Sequence, residues 1–195
     1  MDIIIASNNK NKVREIKQIL SGSFDNFYSL QEVGIDIDIE ETGTTFFENA
    51  LLKAKTIADI TGKVCIADDS GLMVDVLDGK PGVYSARFAG EPCNDKNNNE
   101  KLLSLLKEYP YSKKTAKFVS TIVVYYPNNT YITASGEVKG HILTKYRGNG
   151  GFGYDPLFYA DELEKTFGEA SQEEKNAISH RARALQGIKD KLWKL

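Results

Sequence analysis

An unbroken apolar run, Ile3-Ile4-Ile5-Ala6, gives way abruptly to Ser7-Asn8-Asn9-Lys10-Asn11-Lys12, and an amphipathic pattern begins at once. β-Branched residues are stiff in a helix and suit a pleated surface, so the run predicts a buried strand. Val13, Ile16, Ile19 and Leu20 then recur at helical spacing until Gly22, which predicts strand, turn and helix over residues 2 to 22. The turn sets Ser7, Asn8 and Asn9 beside a helix N-terminus, with Lys12 in the first helical turn. Unpaired N–H groups and the positive dipole end favour an anion there. The same residues suit a plain helix cap, and they lack the G-x-x-x-x-G-K-[ST] pattern of a Walker loop.

The rest of the chain alternates in kind. Residues 24 to 33 contain a short second strand, and Ile35-Asp36-Ile37-Asp38-Ile39-Glu40-Glu41 alternates strictly, as a half-exposed strand does. Thr45-x-x-Glu48 is a capping box before a helix over Asn49 to Ile60. Val64 to Ala67 reads as a short buried strand, Asp68-Asp69-Ser70-Gly71 as a turn, and Leu72 to Leu77 as a second apolar run. Residues 81 to 92 form a loop. Asn94 or Asp95 caps a helix to about Glu108 that buries Leu102, Leu103, Leu105 and Leu106. Thr115 to Tyr126 and Tyr131 to Lys139 flank Pro127-Asn128-Asn129-Thr130 as an antiparallel hairpin, so the sheet is mixed. A final helix from about Ser179 buries Ala182, Leu185, Ile188, Leu192 and Trp193. With no internal repeat or linker, the economical reading is one α/β unit.

Composition excludes several function classes. The 25 basic and 27 acidic residues are interspersed and leave a net charge of −2, so no stripe suits nucleic acid. No run approaches the ~18 to 20 apolar residues of a membrane span, and Asp2 stands where a signal peptide carries basic residues. Cys65 and Cys93 have neither metal nor disulfide spacing. A soluble, cytoplasmic protein is the expectation.

Four segments carry chemistry. Asp68 and Asp69 are adjacent anions after a buried strand, and hard oxygen ligands there suit a Mg²⁺ shared with phosphates. An ordinary acidic turn is the alternative. Glu40-Glu41 either completes such a metal site or is a solvated strand edge. Gly148-Asn149-Gly150-Gly151-Phe152-Gly153 matches G-x-G-x-x-G, yet Pro156 follows too soon for a dinucleotide-binding helix. Its glycines instead allow the backbone to approach a flat ligand, with Phe152 or Tyr154 as a stacking face, or simply make a flexible hairpin. Lys175, His180 and Arg181 gather cations near the start of the last helix, where they oppose its dipole unless an electron-rich partner compensates.

In this order the segments closely resemble the inosine triphosphate pyrophosphatase family. The resemblance spans nearly the whole chain. It rests on Ala6-Ser7-Asn8-Asn9-x-x-Lys12, Glu40-Glu41-Thr42-Gly43-Thr44-Thr45-Phe46-x-Glu48-Asn49-Ala50, Ala67-Asp68-Asp69-Ser70-Gly71-Leu72, Pro81-Gly82-Val83-Tyr84-Ser85-Ala86-Arg87, Gly150-Gly151-Phe152-Gly153-Tyr154-Asp155-Pro156 and Ser179-His180-Arg181. It implies a single domain of two lobes with a mixed sheet flanked by helices, usually a homodimer. The implied activity is Mg²⁺-dependent hydrolysis of ITP, dITP and XTP to the monophosphate and pyrophosphate, which cleanses the nucleotide pool. By resemblance, Ser7, Asn8, Asn9, Lys10, Asn11 and Lys12 form the triphosphate cradle. Glu40 and Asp69 hold the metal, and Asp69 is also the general base for the attacking water. Ser70 and Lys53 are further substrate contacts, while Phe152, Gly153, Tyr154, Asp155, Lys175, His180 and Arg181 hold the base. One departure is Asn8, where the family commonly has glycine; Asn tolerates the left-handed region better than most residues. The rival readings are a sister pyrophosphatase acting on modified pyrimidine nucleotides and a non-catalytic nucleotide sensor.

Overall fold

The computed structural model describes residues 1–192. Seven strands form one mixed sheet in the order β2-β1-β3-β4-β5-β6-β7. In chain order the elements are β1 (Asp2–Ile5), α1 (Lys10–Ile19), β2 (Asn26–Ser29), α2 (Phe46–Thr61), β3 (Cys65–Val74), α3 (Asp95–Leu106), β4 (Thr115–Tyr125), β5 (Tyr131–Ile142), β6 (Phe158–Ala160), β7 (Lys165–Thr166), α4 (Gln172–Ile178) and α5 (His180–Leu192). β1 runs parallel to β2 and β3, whereas β6 is antiparallel to β5 and β7. The chain divides into two compact units: Met1–Asp69, Ser120–Gly136 and the segment from Arg181 onward make the first, and Ser70–Val119 with Glu137–His180 make the second.

The opening run is apolar throughout because both of its faces are covered. Successive side chains of a strand point to opposite faces. Ile3 and Ile5 accordingly join Ile66, Ile122 and Val124 against Ile16 of α1, Leu20 at its C-terminal cap, and Ala184, Leu185 and Ile188 of α5. Ile4 and Ala6 join Cys65, Ala67 and Val123 against Ala50, Ala54 and Ile57 of α2. Fully burying a side chain of this size contributes about 1.5–3 kcal/mol. The expected capping box forms, with the Thr45 hydroxyl accepting from the Glu48 N–H and the Glu48 carboxylate accepting from the Thr45 N–H, and α2 accordingly begins at Phe46, three residues before the expected Asn49. The second unit has its own core, in which Leu72, Val74, Phe118, Val138, Ile142, Phe158 and Phe167 pack with Leu102 and Leu106 of α3.

Four local expectations need correction. Asp68-Asp69-Ser70-Gly71 is not a turn, since β3 runs straight through it from Cys65 to Val74. Ladder pairing and charge partners override the turn preference of those residues. Residues 35–41 are extended but pair with no neighbour; Ile35, Ile37 and Ile39 pack on the α2 side of the sheet, so the alternation reports one-sided burial rather than a strand. Leu105 is 45% exposed, outside the buried stripe of α3. Lys175 does not open the last helix: it lies in α4, and an extended Ser179 separates α4 from α5. The two short strands β6 and β7 and a 3₁₀ turn at Gly82–Arg87 were not anticipated. Trp193 lies outside the described residues.

Candidate active site

In the first unit, the turn between β1 and α1 is held by its own side chains. The Asn9 side chain accepts from the N–H groups of Asn11 and Lys12 at 3.0 and 3.1 Å, and the Ser7 hydroxyl accepts from the Asn9 N–H at 3.2 Å. Asn9 is therefore the helix cap. Asn8 is not among the residues with positive φ, and its amide donates to the Ile37 carbonyl at 3.0 Å. Asparagine thus ties the turn to the extended segment that follows β2. Ser7, Asn8 and Lys10, together with Arg14 and Lys17, line a pocket of about 430 Å³. Lys17 is paired with Glu32 at 3.0 Å, so Lys10, Arg14 and the helix N-terminus supply the positive charge there.

The paired aspartates of β3 project to opposite faces and meet different partners. Asp68 shares the face of Ile66. Its carboxylate takes Lys12 Nζ at 2.8 Å, Arg181 Nη2 at 3.1 Å and the Ser120 hydroxyl. Arg181 also pairs with Glu15, and both side chains are 1% exposed. Burial alone would push the Asp68 carboxyl up, but Arg181 and Lys12 outweigh it and hold the group well below the usual range. Asp68 is a fixed anion.

Asp69 shares the face of Ala67 and looks to α2. Asn49 Nδ2 donates to its Oδ2 at 3.1 Å, and Lys53 Nζ lies 3.5 Å from Oδ1. Here burial prevails over the pull of Lys53 and Lys12, and the proton affinity of Asp69 is raised. Lys53 also donates to Glu41 Oε1 at 2.5 Å and to the Asp68 carbonyl at 3.0 Å. Of the Glu40–Glu41 pair it is thus Glu41 whose carboxylate shares a cation with Asp69, while Glu40 is exposed. Ser70 follows Asp69 in β3 and is half-buried.

The second unit positions Phe152, Gly153, Tyr154, Asp155, Lys175 and His180. Asp155 Oδ2 accepts both the Phe152 N–H at 2.9 Å and Lys175 Nζ at 2.7 Å. The Lys175 ammonium lies 4.6 Å from the centre of the Phe152 ring. Gly151 is required at this turn, because its φ is +73° and a Cβ would fall 2.0 Å from Asp155 Oδ2. Tyr154 is no stacking face: its ring is buried in the core and its hydroxyl donates to the Ser85 carbonyl at 2.7 Å. The Phe152 ring, by contrast, is half-buried. His180 is buried and stacks on Phe118, ring centres 4.8 Å apart.

Of the expected group of Lys175, His180 and Arg181, Arg181 pairs with Asp68 and Glu15 in the first unit, and Lys175 and His180 belong to the second. Sequence reasoning passed over Asn49, Glu15 and Ser120. Asn49 and Glu15 did carry a signal, as polar residues set among the buried positions of α2 and α1. Ser120 carried none, because a serine inside an apolar strand has no distinguishing pattern.

Residues 3–191 match the model of the Ham1 family. A relative from Geobacter sulfurreducens named dITP/XTP pyrophosphatase is 52% identical over 190 residues, covering 97% of this chain and 96% of its own. Among solved structures, the Staphylococcus aureus Ham1 protein superposes with a TM-score of 0.88 at 42% identity, covering 100% of this chain and 99% of its own. A HAM1 protein from Coxiella burnetii gives a TM-score of 0.89 at 37% identity, covering both chains fully, 100% and 100%.

Proposed function

The chain belongs to the Ham1 family, and from that premise we propose that it hydrolyses non-standard purine nucleoside triphosphates (ITP, dITP and XTP) to the monophosphate and pyrophosphate, with Mg²⁺ as cofactor. The observation that carries the reading is the contrast between two neighbouring carboxylates. Asp68 is locked as an anion by Lys12 and Arg181, whereas Asp69 is buried with a raised proton affinity. A pair whose environments push their proton affinities apart separates a fixed charge from a proton acceptor. Asp69 is the general base, taking a proton from the water that attacks the α-phosphorus. Asn49 and Lys53 hold its carboxylate in place.

Among the described residues no three His, Cys, Asp or Glu gather as a closed metal cage. Mg²⁺ commonly uses one or two carboxylates plus substrate phosphates, so two carboxylates suffice for it. Glu40 and Asp69 are the carboxylates that would hold it, as the resemblance implies; Glu41, next to Glu40 in sequence, shares the Lys53 ammonium with Asp69, and hard oxygen donors of this kind suit the ion. Bound there, the ion would neutralise phosphate charge and lower the cost of the developing negative charge. Lys12, Ser7, Asn8, Lys10 and the N-terminal end of α1 receive the phosphates, and Lys12 carries charge toward the departing pyrophosphate.

Phe152 stacks on the base, and donors near it select a 6-keto purine. A donor aimed at O6 meets another donor in adenine and leaves buried polar groups unpaired, a mismatch that discriminates by up to ~10⁴ to 10⁵. Guanine shares O6 with hypoxanthine, so its 2-amino group must be the feature rejected. A homodimer and a cytoplasmic location belong to the same proposal; no helix among the described residues is long and apolar enough to cross a membrane. Sedimentation equilibrium is expected to give twice the 21.7 kDa chain mass.

Pyrophosphate release from ITP, dITP, XTP, GTP, ATP and dUTP tests the activity. The expected order places the first three well above the rest. Preference for dUTP would assign the protein to pyrimidine nucleotides, and binding without release would make it a sensor.

A further inference from the structure

Helix α3 grips the backbone of the loop that carries Phe152. Asp95 and Asn99 lie one helical turn apart on the same face. The Gly153 N–H donates to Asp95 Oδ2 at 2.7 Å, and the Gly153 carbonyl accepts from Asn99 Nδ2 at 2.9 Å. Both polar groups of a residue with φ +61° are thus taken by two side chains of one helix turn. The preceding N–H, that of Phe152, ends on Asp155. Two consecutive backbone N–H groups therefore each terminate on a carboxylate, and charged acceptors make the stronger hydrogen bonds.

Stability alone does not account for these residues. Asn97-Asn98-Asn99 is a poor sequence for a helix interior. Asn99 is 3% exposed, and its Oδ1 has no hydrogen-bond partner among the described residues, a cost that an apolar residue would avoid. Asn98 serves a second segment, accepting from the Ala89 N–H at 2.7 Å and donating to the Ala86 carbonyl at 2.8 Å. Asp95, Asn99, Phe152 and Gly153 line one pocket of about 400 Å³, in the range of small-ligand sites.

We infer that Asp95 and Asn99 are positioning residues for substrate selection, clamping Gly153 so that the adjacent Phe152 ring is presented to the purine base. The inference rests on the assignment of Phe152 to the base under the proposed function. A clamp acts before chemistry. Its loss raises KM for a purine triphosphate more than it lowers kcat, and the effect disappears once the ring is gone.

The test measures kcat and KM for ITP on the full chain with Mg²⁺, for wild type, Asp95→Ala, Asp95→Asn, Asn99→Ala and Phe152→Ala, and for each clamp variant combined with Phe152→Ala. Asp95 is exposed, so its variants keep the fold even if Asn99→Ala does not. The expected result is a rise in KM of about tenfold for Asp95→Ala with kcat within about threefold, the size of losing one charged hydrogen bond. Asp95→Asn retains an acceptor oxygen and should recover most of the loss. In the Phe152→Ala background, Asp95→Ala should add almost nothing. Unchanged KM, a loss confined to kcat, or full additivity with Phe152→Ala would overturn the clamp while leaving the proposed activity intact. Wild-type protein inert toward ITP would instead overturn the proposed activity, and the clamp with it.

Discussion

Asp68 and Arg181, 113 positions apart in the chain, meet as a buried pair with Arg181 Nη2 3.1 Å from Asp68 Oδ2. Their side chains are 0% and 1% exposed, and the guanidinium also reaches Glu15. Taking charges out of water costs several kcal/mol per ion, so such a cluster persists only when every member is present. Arg181 thereby fixes the charge of the carboxylate beside Asp69, the proposed general base.

Arg181→Ala should consequently destabilise the protein by about 3–5 kcal/mol, the usual scale for leaving a buried partner unpaired. Urea denaturation measures it. Because Arg181 acts on Asp68, ITP and ATP hydrolysis should fall by similar factors. A loss confined to ITP would return Arg181 to the base, as the sequence resemblance implies.

Asp69→Asn should lower kcat by at least ~10²-fold, the scale of losing a general base. Asn preserves the volume and can still accept from Asn49. Circular dichroism should show an unchanged fold, and near-normal pyrophosphate release would remove Asp69 from the mechanism. In the metal-free wild type, the Asp69 carboxyl should titrate above an ordinary aspartate, since burial raises its proton affinity.

Stability should respond to pH in opposite senses at the two neighbours. The folded-state proton affinity of Asp68 is lowered, so its contribution is present above the unfolded value of about 3.9 and is lost as pH falls below it. Asp68→Asn should therefore destabilise at pH 7, with the deficit shrinking in acid. Asp69 is raised, so ionising it costs stability as pH climbs past about 3.9. Asp69→Asn should then be more stable than wild type at pH 7. Urea midpoints at pH 7 and near pH 3 decide both, and the same sign for the two variants would refute the contrast.

Lys12→Ala should raise KM for every nucleotide by the same factor without changing the ITP to GTP preference, because phosphate is common to all of them. Lys12 also lies 2.8 Å from Asp68, so a fall in thermal midpoint should accompany the change. A shifted base preference would show that Lys12 reads the base instead.

The sequence by itself determined the elements whose signal is local. The Ile3-Ile4-Ile5-Ala6 run, the period of α1, the Thr45–Glu48 box and the hairpin about Asn128 and Asn129 each follow from neighbours within a few positions, and each formed where its pattern placed it. The motif order also sufficed to identify the family. Tertiary structure alone decided what depends on distant partners. Whether Asp68 and Asp69 sit in a turn or a strand was settled by ladder pairing and by α2 and Arg181, none of which leaves a trace in the Asp-Asp-Ser-Gly composition. Whether residues 35–41 pair, which of Glu40 and Glu41 joins Lys53, and that the Tyr154 ring is buried were decided in the same way. Alternation and residue type report which side of the chain is apolar; hydrogen-bond partners and charge neighbours are set by segments that meet only after folding.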